Sequence, residues 1–490
     1  MIFWRPRRPT PVAEEGSSRA VEARLLLGGS AWGWDLVGAL AAFLALAVVA
    51  AWIQASYLRV NIPASISFPG LDGWCRDSMR PFGVHCWSDY GAIHFDSLSN
   101  SPLTNEVVYP ASTRILRIPF WIVESIGGYR AGLVLFISVI TLCMLVPALW
   151  AVRDLPLSLK PVFISIACVA TAPFLSVIDR GNMIAFAAPA FLLYLLGLVR
   201  AQPWLATGAV IVASSVKPQF AILGLALVAL RYWKPALVAI IGSIGITILP
   251  FFLFFHSRGL NVLEIWITRT RGWAGSQALS VDWPTNLSLP RVVSKVSKLL
   301  VELGSRVGVS TTGLSDAGSI RICVLVSMML IVVILFRGRR LHPFLLGTIF
   351  LVFACLASPI SNSYYGLFLI PLVAVIFRLG PTAWPTRGVL NIVITSLMSI
   401  GIILGLSPLV IPMSVVTAPY GDDPIVASLL PILSSFAWAL LLVMATVKSL
   451  WAGESNHHVG ESNATNANIN VCRSPDEVGQ EAIIGTAHRS

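Results

Sequence analysis

Apolar runs of about 20 residues recur along the chain, and two long polar stretches and several short polar turns separate them. A helix of that length crosses the roughly 30 Å hydrocarbon core of a bilayer. The pattern predicts twelve crossings, near residues 34–57, 130–152, 161–178, 183–199, 204–216, 218–230, 235–255, 320–336, 341–357, 364–378, 388–410 and 425–447. The predicted fold class is therefore an all-α, polytopic membrane helical bundle.

The short apolar run at 115–126 contains Pro119 and is either an interfacial or re-entrant helix or a short span. Counting it as non-spanning returns the carboxyl terminus to the side on which the chain begins. The run at 34–57 is too long for a signal-peptide core, so it is expected to remain as the first helix.

The basic residues follow the positive-inside pattern. The turns assigned to the cytoplasm hold Arg153, Lys160, Arg200, Arg231, Lys234, Arg337, Arg339, Arg340, Arg378, Arg387 and Lys448. The short turns assigned to the outside hold only Arg180 and Lys217.

This arrangement predicts a cytoplasmic segment at 1–33 and a transmembrane domain at 34–447 with outer loops at about 58–128 and 256–319. The polar residues 448–490 are expected to form a disordered cytoplasmic tail.

Composition agrees with a membrane protein, since 56% of the residues are hydrophobic and only 12% are charged. The net charge of +11 is scattered between apolar runs, which argues against a nucleic-acid-binding face.

Cys75 and Cys86 share a polar loop and form either a disulfide or two free thiols. No Cys/His cluster has metal-site spacing, so neither a structural metal nor a cofactor is predicted.

The first polar stretch offers a candidate general base. Asp89 lies between aromatic residues in Trp87-Ser88-Asp89-Tyr90, and partial desolvation at a membrane surface raises a carboxyl pKa toward neutrality. The alternative is a solvated loop aspartate, which spacing alone favours.

A charged turn, Asp179-Arg180-Gly181-Asn182, separates two apolar runs. A charge at the centre of a membrane helix costs roughly 2.5–3.5 kcal/mol, so these side chains belong at a helix end or in a polar cavity. The alternative is an ion pair that only caps the turn. Gly181 allows a tight turn, and Asn182 can cap the next helix.

Lys217 stands before Pro218 in a very short turn assigned to the outside, against the charge bias. Such a cation at headgroup level can neutralise a lipid phosphate. The alternative is a lysine that reaches the interface along its apolar stem.

Two further turns carry groups suited to a sugar. The second outer loop has Trp273, Asp282-Trp283 and Asn286, and a turn at 358–365 carries Tyr364. Interfacial tryptophans are common, so these residues are weak evidence on their own.

Taken in order, several short motifs resemble glycosyltransferase family 87, whose members are polyprenyl-phosphate-mannose-dependent membrane mannosyltransferases of the GT-C superfamily. The motifs are Ser88-Asp89-Tyr90, Tyr109-Pro110, Ile118-Pro119, Asp179-Arg180-Gly181-Asn182, Val216-Lys217-Pro218, Asn286-Leu287-Ser288-Leu289 and Ser358-Pro359-Ile360-Ser361.

The resemblance implies a GT-C-type enzyme that moves a sugar, mannose by analogy, from a polyprenyl-phosphate donor to a glycolipid or polysaccharide hydroxyl outside the plasma membrane. It implies Asp89 as the base, Arg180 and Lys217 as donor-phosphate ligands, and inversion at the anomeric carbon. The implied substrate-binding residues are Tyr90, Tyr109, Asp179, Asn182, Asn286 and Tyr364.

One position departs from the family pattern. Members often carry a histidine soon after the Ser-Pro-Ile-Ser turn, whereas this chain has Tyr364 and Tyr365, and a phenol is a poor proton acceptor near neutral pH.

Two rival hypotheses are a multi-pass transporter and a non-catalytic polysaccharide-assembly protein. Transporters tend to have repeated halves and charges at the bilayer midplane, and the sequence indicates neither.

Overall fold

The computed structural model describes residues 45, 90, 110–155, 159–255, 259–276, 286–306, 315–358, 361, 363–380, 388–407, 412–417 and 424–451. Apart from residue 45, the predicted helix at 34–57 lies outside these residues. Most of the first outer loop, including Cys75 and Cys86, and nearly all of the predicted tail also lie outside them.

The described chain is helical apart from one pair of short strands. The first helices are α1 (Thr113–Gly127), α2 (Tyr129–Val152), α3 (Lys160–Ile164), α4 (Ala172–Arg180), α5 (Ala187–Val199), α6 (Pro203–Val216), α7 (Gly224–Ala229) and α8 (Trp233–Phe255). The remainder are α9 (Gly259–Ser276), α10 (Leu289–Arg306), α11 (Asp316–Arg337), α12 (Pro343–Leu356), α13 (Leu369–Leu379), α14 (Val389–Leu406) and α15 (Leu429–Trp451). An antiparallel pair, β1 (Pro412–Thr417) and β2 (Pro424–Ser428), connects α14 to α15.

Five described helices are long and apolar enough to cross a membrane, and a bent pair gives a sixth. The five are Tyr129–Val152, Trp233–Phe255, Ala317–Arg340, Val389–Leu406 and Leu429–Trp451, and the pair is Lys160–Val169 with Ala172–Ile178, bent by 74°. These helices make the chain a membrane protein. The predicted count of twelve crossings is not confirmed.

Several predicted crossings are shorter apolar helices, of 10–17 residues. They are Met183–Val199, Pro203–Val216, Pro218–Ala229, Pro343–Leu356 and Tyr364–Leu379. A helix of 14 residues, such as α6, is only about 21 Å long, which is shorter than the hydrocarbon core. Prolines start or interrupt these runs, because proline lacks the N–H that would continue a helix.

The short helices form the centre of the bundle. Helix α5 packs against α6, α12 and α13, and α12 is buried along almost its whole length. A side chain at Gly197 would collide with α6, since its Cβ would lie 2.7 Å from the backbone nitrogen of Ala206. The core therefore consists of short, tightly packed helices, while the longer helices have larger exposed apolar faces.

The stretch predicted as a second outer loop contains two helices, α9 and α10. The beginning of α10 is buried, and most of its later residues are exposed. This helix is amphipathic but too polar to cross a membrane, so hydropathy alone does not indicate it.

The start of α12 provides a test of the fold by pH. His342 caps this helix by accepting a hydrogen bond at Nδ1 from the backbone N–H of Phe344, at 3.3 Å. Burial lowers the pKa of His342 from its usual 6.5, and the nearby charge of Lys448 lowers it further. The folded protein thus favours the neutral ring that can accept this bond.

We expect the thermal stability of the purified protein in detergent to fall as pH drops below about 6.5, because the unfolded chain then binds a proton before the folded chain does. His342→Asn keeps an acceptor and should lessen this dependence. His342→Ala should lower stability at neutral pH by about 0.5–2 kcal/mol. An unchanged pH profile in His342→Asn would show that the dependence arises elsewhere.

Candidate functional site

The centre of the candidate site is the ammonium group of Lys217. Helix α6 ends at Val216, and Lys217 has an extended backbone (φ −144°, ψ 121°), as expected for a residue that precedes proline. Its Nζ donates a hydrogen bond to the hydroxyl of Tyr365 at 2.8 Å. The break between two short helices thus presents a cation to the end of the bundle.

Two aromatic rings line this cation. Lys217 Nζ lies 4.5 Å from the ring centroid of Tyr365 and 5.3 Å from that of Tyr364, and the two centroids are 4.9 Å apart. Such rings attract a cation through their electron-rich faces. Both tyrosines are largely buried, so the ammonium group lies in partly desolvated surroundings.

A second turn is tied to the turn before these tyrosines. Asn286 Oδ1 accepts hydrogen bonds from the backbone N–H of Ser361 at 2.9 Å and of Ser288 at 3.0 Å. The N–H of Leu287 donates to the carbonyl of Ser361 at 2.6 Å. Asn286 is fully buried and joins segments that are 75 positions apart.

Two further contacts fix the Asn286 turn to the bundle. Arg291 Nη1 donates to the carbonyl of Asn286 at 2.6 Å, and the hydroxyl of Ser435 on α15 donates to the carbonyl of Leu287 at 2.6 Å. Side-chain hydrogen bonds to buried carbonyls replace the partners that irregular backbone lacks. The turn is therefore held in one position relative to α10 and α15.

The start of α1 reaches the same region. The buried hydroxyl of Ser112 donates to the carbonyl of Ser215 at 2.7 Å, two residues before Lys217. The hydroxyl of Thr113 donates to the carbonyl of Pro110 at 2.7 Å. The end of the first polar stretch is thus attached to the end of α6, beside the cation.

Tyr90 lies in a separate buried cluster on α1 and α2. Its hydroxyl donates to Glu124, and Arg117 donates to its carbonyl at 3.2 Å. Arg117 also lies 3.6 Å from the Glu124 carboxylate. Burial and the hydrogen bond to Glu124 raise the pKa of Tyr90, so its hydroxyl keeps the proton.

Gly132 makes room for this cluster. A Cβ at this position would lie 2.1 Å from Glu124 Cγ and 2.9 Å from the Tyr90 hydroxyl. A larger residue would displace the carboxylate, so the absence of a side chain on α2 sets the position of Glu124.

The charged turn after α4 has the predicted backbone. Gly181 adopts a left-handed conformation (φ 63°), and the N–H of Asn182 bonds to the carbonyl of Val177 at 3.0 Å, which closes the helix end. The Asn182 side chain accepts from the N–H of Ile184 at 2.9 Å and caps the following 3₁₀ turn, Met183–Phe186. Both that turn and α4 pack against the 3₁₀ helix Ser363–Phe368, which carries Tyr364 and Tyr365.

The structure therefore joins Lys217 to Tyr364 and links Asn286 to the turn just before that tyrosine. Asn182 lies on an element that packs against the same 3₁₀ helix, whereas Tyr90 belongs to its own cluster. Asp89, Tyr109 and the side chains of Asp179 and Arg180 lie outside the described residues. Their roles stay predictions.

Sequence reasoning missed three residues of these clusters. Tyr365, rather than Tyr364, makes the hydrogen bond to Lys217, and neighbouring tyrosines on a turn cannot be ranked by pattern. Arg117 and Glu124 are seven positions apart, a spacing that places two residues on one face of a helix. That spacing was the available signal. Among the described residues, no group of three or more His, Cys, Asp or Glu side chains is placed to hold a metal ion.

The family model of glycosyltransferase family 87 matches residues 108–359, just over half of the chain. The match includes Arg117, Glu124, Lys217 and Asn286. Comparisons with curated proteins and with solved structures found no match.

The Asn286 side chain joins its own turn to the turn at Ser361 and so acts as a clamp. This clamp can be tested by substitution. Asn286→Ala removes the acceptor of two buried N–H groups, and each buried donor left without a partner costs about 1–3 kcal/mol. We expect a clear drop in the thermal unfolding temperature of the protein in detergent. Asn286→Asp keeps an acceptor at the same position and is the matched control. Equal stability of wild type and Asn286→Ala would contradict the clamp.

Proposed function

The chain belongs to glycosyltransferase family 87, and from this premise we propose that it moves a sugar from a polyprenyl-phosphate donor to a hydroxyl of a glycolipid or polysaccharide. Mannose is the proposed sugar. The proposed location is the plasma membrane, with the site on the extracytoplasmic side. The observation that carries the proposal is the ammonium of Lys217, held by Tyr365 at the break between two short helices.

Lys217 is suited to stabilise the negative charge that develops on a leaving phosphate. Its Nζ is fixed at 2.8 Å from a phenol hydroxyl and lies beside two aromatic rings. A cation fixed in advance in partly desolvated surroundings stabilises developing negative charge better than a mobile one in water. We propose that Lys217, with Arg180 from the nearby turn, binds the donor phosphate.

The proposed reaction is a single displacement. The acceptor oxygen attacks the anomeric carbon, the bond from that carbon to the phosphate oxygen breaks, and the phosphate keeps the electron pair. Asp89 takes the proton of the acceptor hydroxyl. Attack opposite the phosphate inverts the anomeric centre, so a β-linked donor gives an α-linked product.

The buried residues of the proposed site act by positioning. Tyr90 is the chain neighbour of Asp89 and packs on α1 and α2. Its contacts with Glu124 and Arg117 are proposed to position the base. The side chains of Asn182 and Asn286 bind backbone groups and are buried. They support the turns on which a substrate would lie.

Direct contact with the substrate is proposed for the residues around the cation. Tyr364 offers a ring next to Lys217, and a sugar ring can stack on such a surface. Tyr109 and Asp179 are proposed to bind hydroxyl groups of donor or acceptor. Tyr365 is proposed to orient Lys217, and it supplies a hydrogen-bond donor, not a base.

Asp89→Asn tests the proposed base. The amide keeps the size of the side chain but cannot take a proton, so we expect sugar transfer to fall about 10²–10⁴-fold with normal membrane insertion. The assay follows transfer of labelled mannose from polyprenyl-phosphate mannose to glycolipid acceptors by the purified protein. Asp77→Asn, in the same polar stretch, is the control and should retain activity. Full activity of Asp89→Asn would exclude this residue as the base.

Lys217→Ala tests the phosphate ligand. Loss of one preorganised donor to a developing anion lowers kcat about 10²–10³-fold, and we expect a loss of that order here. The same transfer assay measures it, with unfolding curves to check the fold. Lys234→Ala removes an equal charge from an exposed position at the start of α8 and should leave transfer unchanged. Comparable rates in both variants would remove Lys217 from the mechanism.

A further inference from the structure

A basic pocket lies at the end of the bundle away from Lys217. Its volume is about 390 Å³, and it is lined by Arg231, Phe336, Arg337, Arg339 and Arg340. The pocket forms where the turn after α7 meets the end of α11.

Close packing holds these two turns together. Gly338 fits against α7, since a Cβ there would lie 3.1 Å from the Cβ of Ala229. Arg231 has a left-handed backbone (φ 66°), an uncommon conformation for a residue with a side chain. The guanidinium of Arg231 lies 5.3 Å from the ring centroid of Trp233. The convergence of the arginines thus follows from a fixed backbone.

The four arginines are not neutralised within the part of the chain that the structure describes. There, no carboxylate forms an ion pair with any of them. Two basic residues elsewhere do have polar partners: Arg378 pairs with Asp154, and Lys448 Nζ donates to Asn391 at 2.5 Å. Like charges placed close together repel, so an anion in the pocket would be stabilised by all four.

The positive-inside rule explains why basic residues lie at this end but not why four of them surround one pocket. Arginine binds phosphate oxygens through paired, parallel N–H groups, which favours phosphate over other anions. We propose that the pocket binds the phosphate headgroup of an anionic phospholipid.

Two observations favour a lipid over free phosphate. Large apolar side chains beside the pocket are exposed: Phe336 is 71% accessible and Trp233 is 55% accessible. The pocket also lies at the end of a candidate membrane span, Ala317–Arg340, and this end is expected at headgroup level. Acyl chains can cover the apolar residues while the headgroup occupies the pocket.

This site is separate from the proposed catalytic one. The segment Pro218–Ala229 lies between Lys217 and Arg231 and is about 20 Å long. Lipid binding here does not depend on the proposed sugar transfer.

The test uses the full-length protein in neutral detergent, titrated with phosphatidylglycerol, with phosphatidylcholine of the same acyl chains, and with inorganic phosphate. Bound lipid is counted by native mass spectrometry. The test variant is Arg337→Gln/Arg339→Gln. The control, Arg200→Gln/Arg321→Gln, removes the same charge from exposed positions outside the pocket. Unfolding curves check that both variants fold.

We expect wild type and control to bind phosphatidylglycerol in preference to phosphatidylcholine. The test variant should bind phosphatidylglycerol on the order of 30-fold more weakly, since each arginine near a lipid surface contributes about 1 kcal/mol. Equal binding of the two lipids, or an equal loss in the control, would overturn the proposal. Displacement of phosphatidylglycerol by inorganic phosphate at similar concentrations would also overturn it, because the pocket would then be a free-phosphate site.

Discussion

The structure depends on the break between α6 and the helix that begins at Pro218. Proline ends the hydrogen-bonding ladder, and the preceding lysine becomes extended. An ammonium group therefore lies at the junction of two short helices. A charge in apolar surroundings needs partners, and the hydroxyl and ring of Tyr365, with the ring of Tyr364, provide them. Irregular backbone inside a membrane bundle is tolerated only where protein buries it or where it lines a cavity.

The turns near this break share one stabilising device. Each is fixed by a side chain that bonds to a buried backbone group: Ser112 to Ser215, Asn286 to Ser361, and Asn182 to Ile184. One such bond adds only about 0.5–1.5 kcal/mol, but a buried group left without its partner costs more. The turns are therefore fixed before any ligand arrives, which is what electrostatic stabilisation of a leaving group requires.

Sequence patterns predicted the features that depend on local chemistry. Apolar runs located the long helices, Gly181 and Asn182 predicted a helix end, and Pro218 predicted the break at Lys217. Hydropathy could not distinguish a crossing from an apolar helix too short to cross, because both are apolar and the length of the helix depends on packing. It also gave no sign of α9 and α10, whose residues are too polar for a membrane span.

Contacts between distant segments could not be predicted from the sequence. Asn286 and Ser361 are 75 positions apart, and nothing in either motif indicates that they pair. Tyr90 and Glu124 are 34 positions apart, and a hydrogen bond joins them in one buried cluster. Such pairs arise from the topology of the bundle, which a single sequence does not specify.

The central claim is that Lys217 binds the donor phosphate. Equilibrium binding of polyprenyl phosphate, the lipid that remains after sugar transfer, tests it most directly. The full-length protein in lipid nanodiscs is titrated with polyprenyl phosphate and with polyprenol of the same length. If Lys217 binds the phosphate, wild type prefers polyprenyl phosphate roughly 10–100-fold, the range expected for a charge-assisted hydrogen bond, and Lys217→Ala loses most of that preference. Equal binding of the two lipids to wild type would contradict the account.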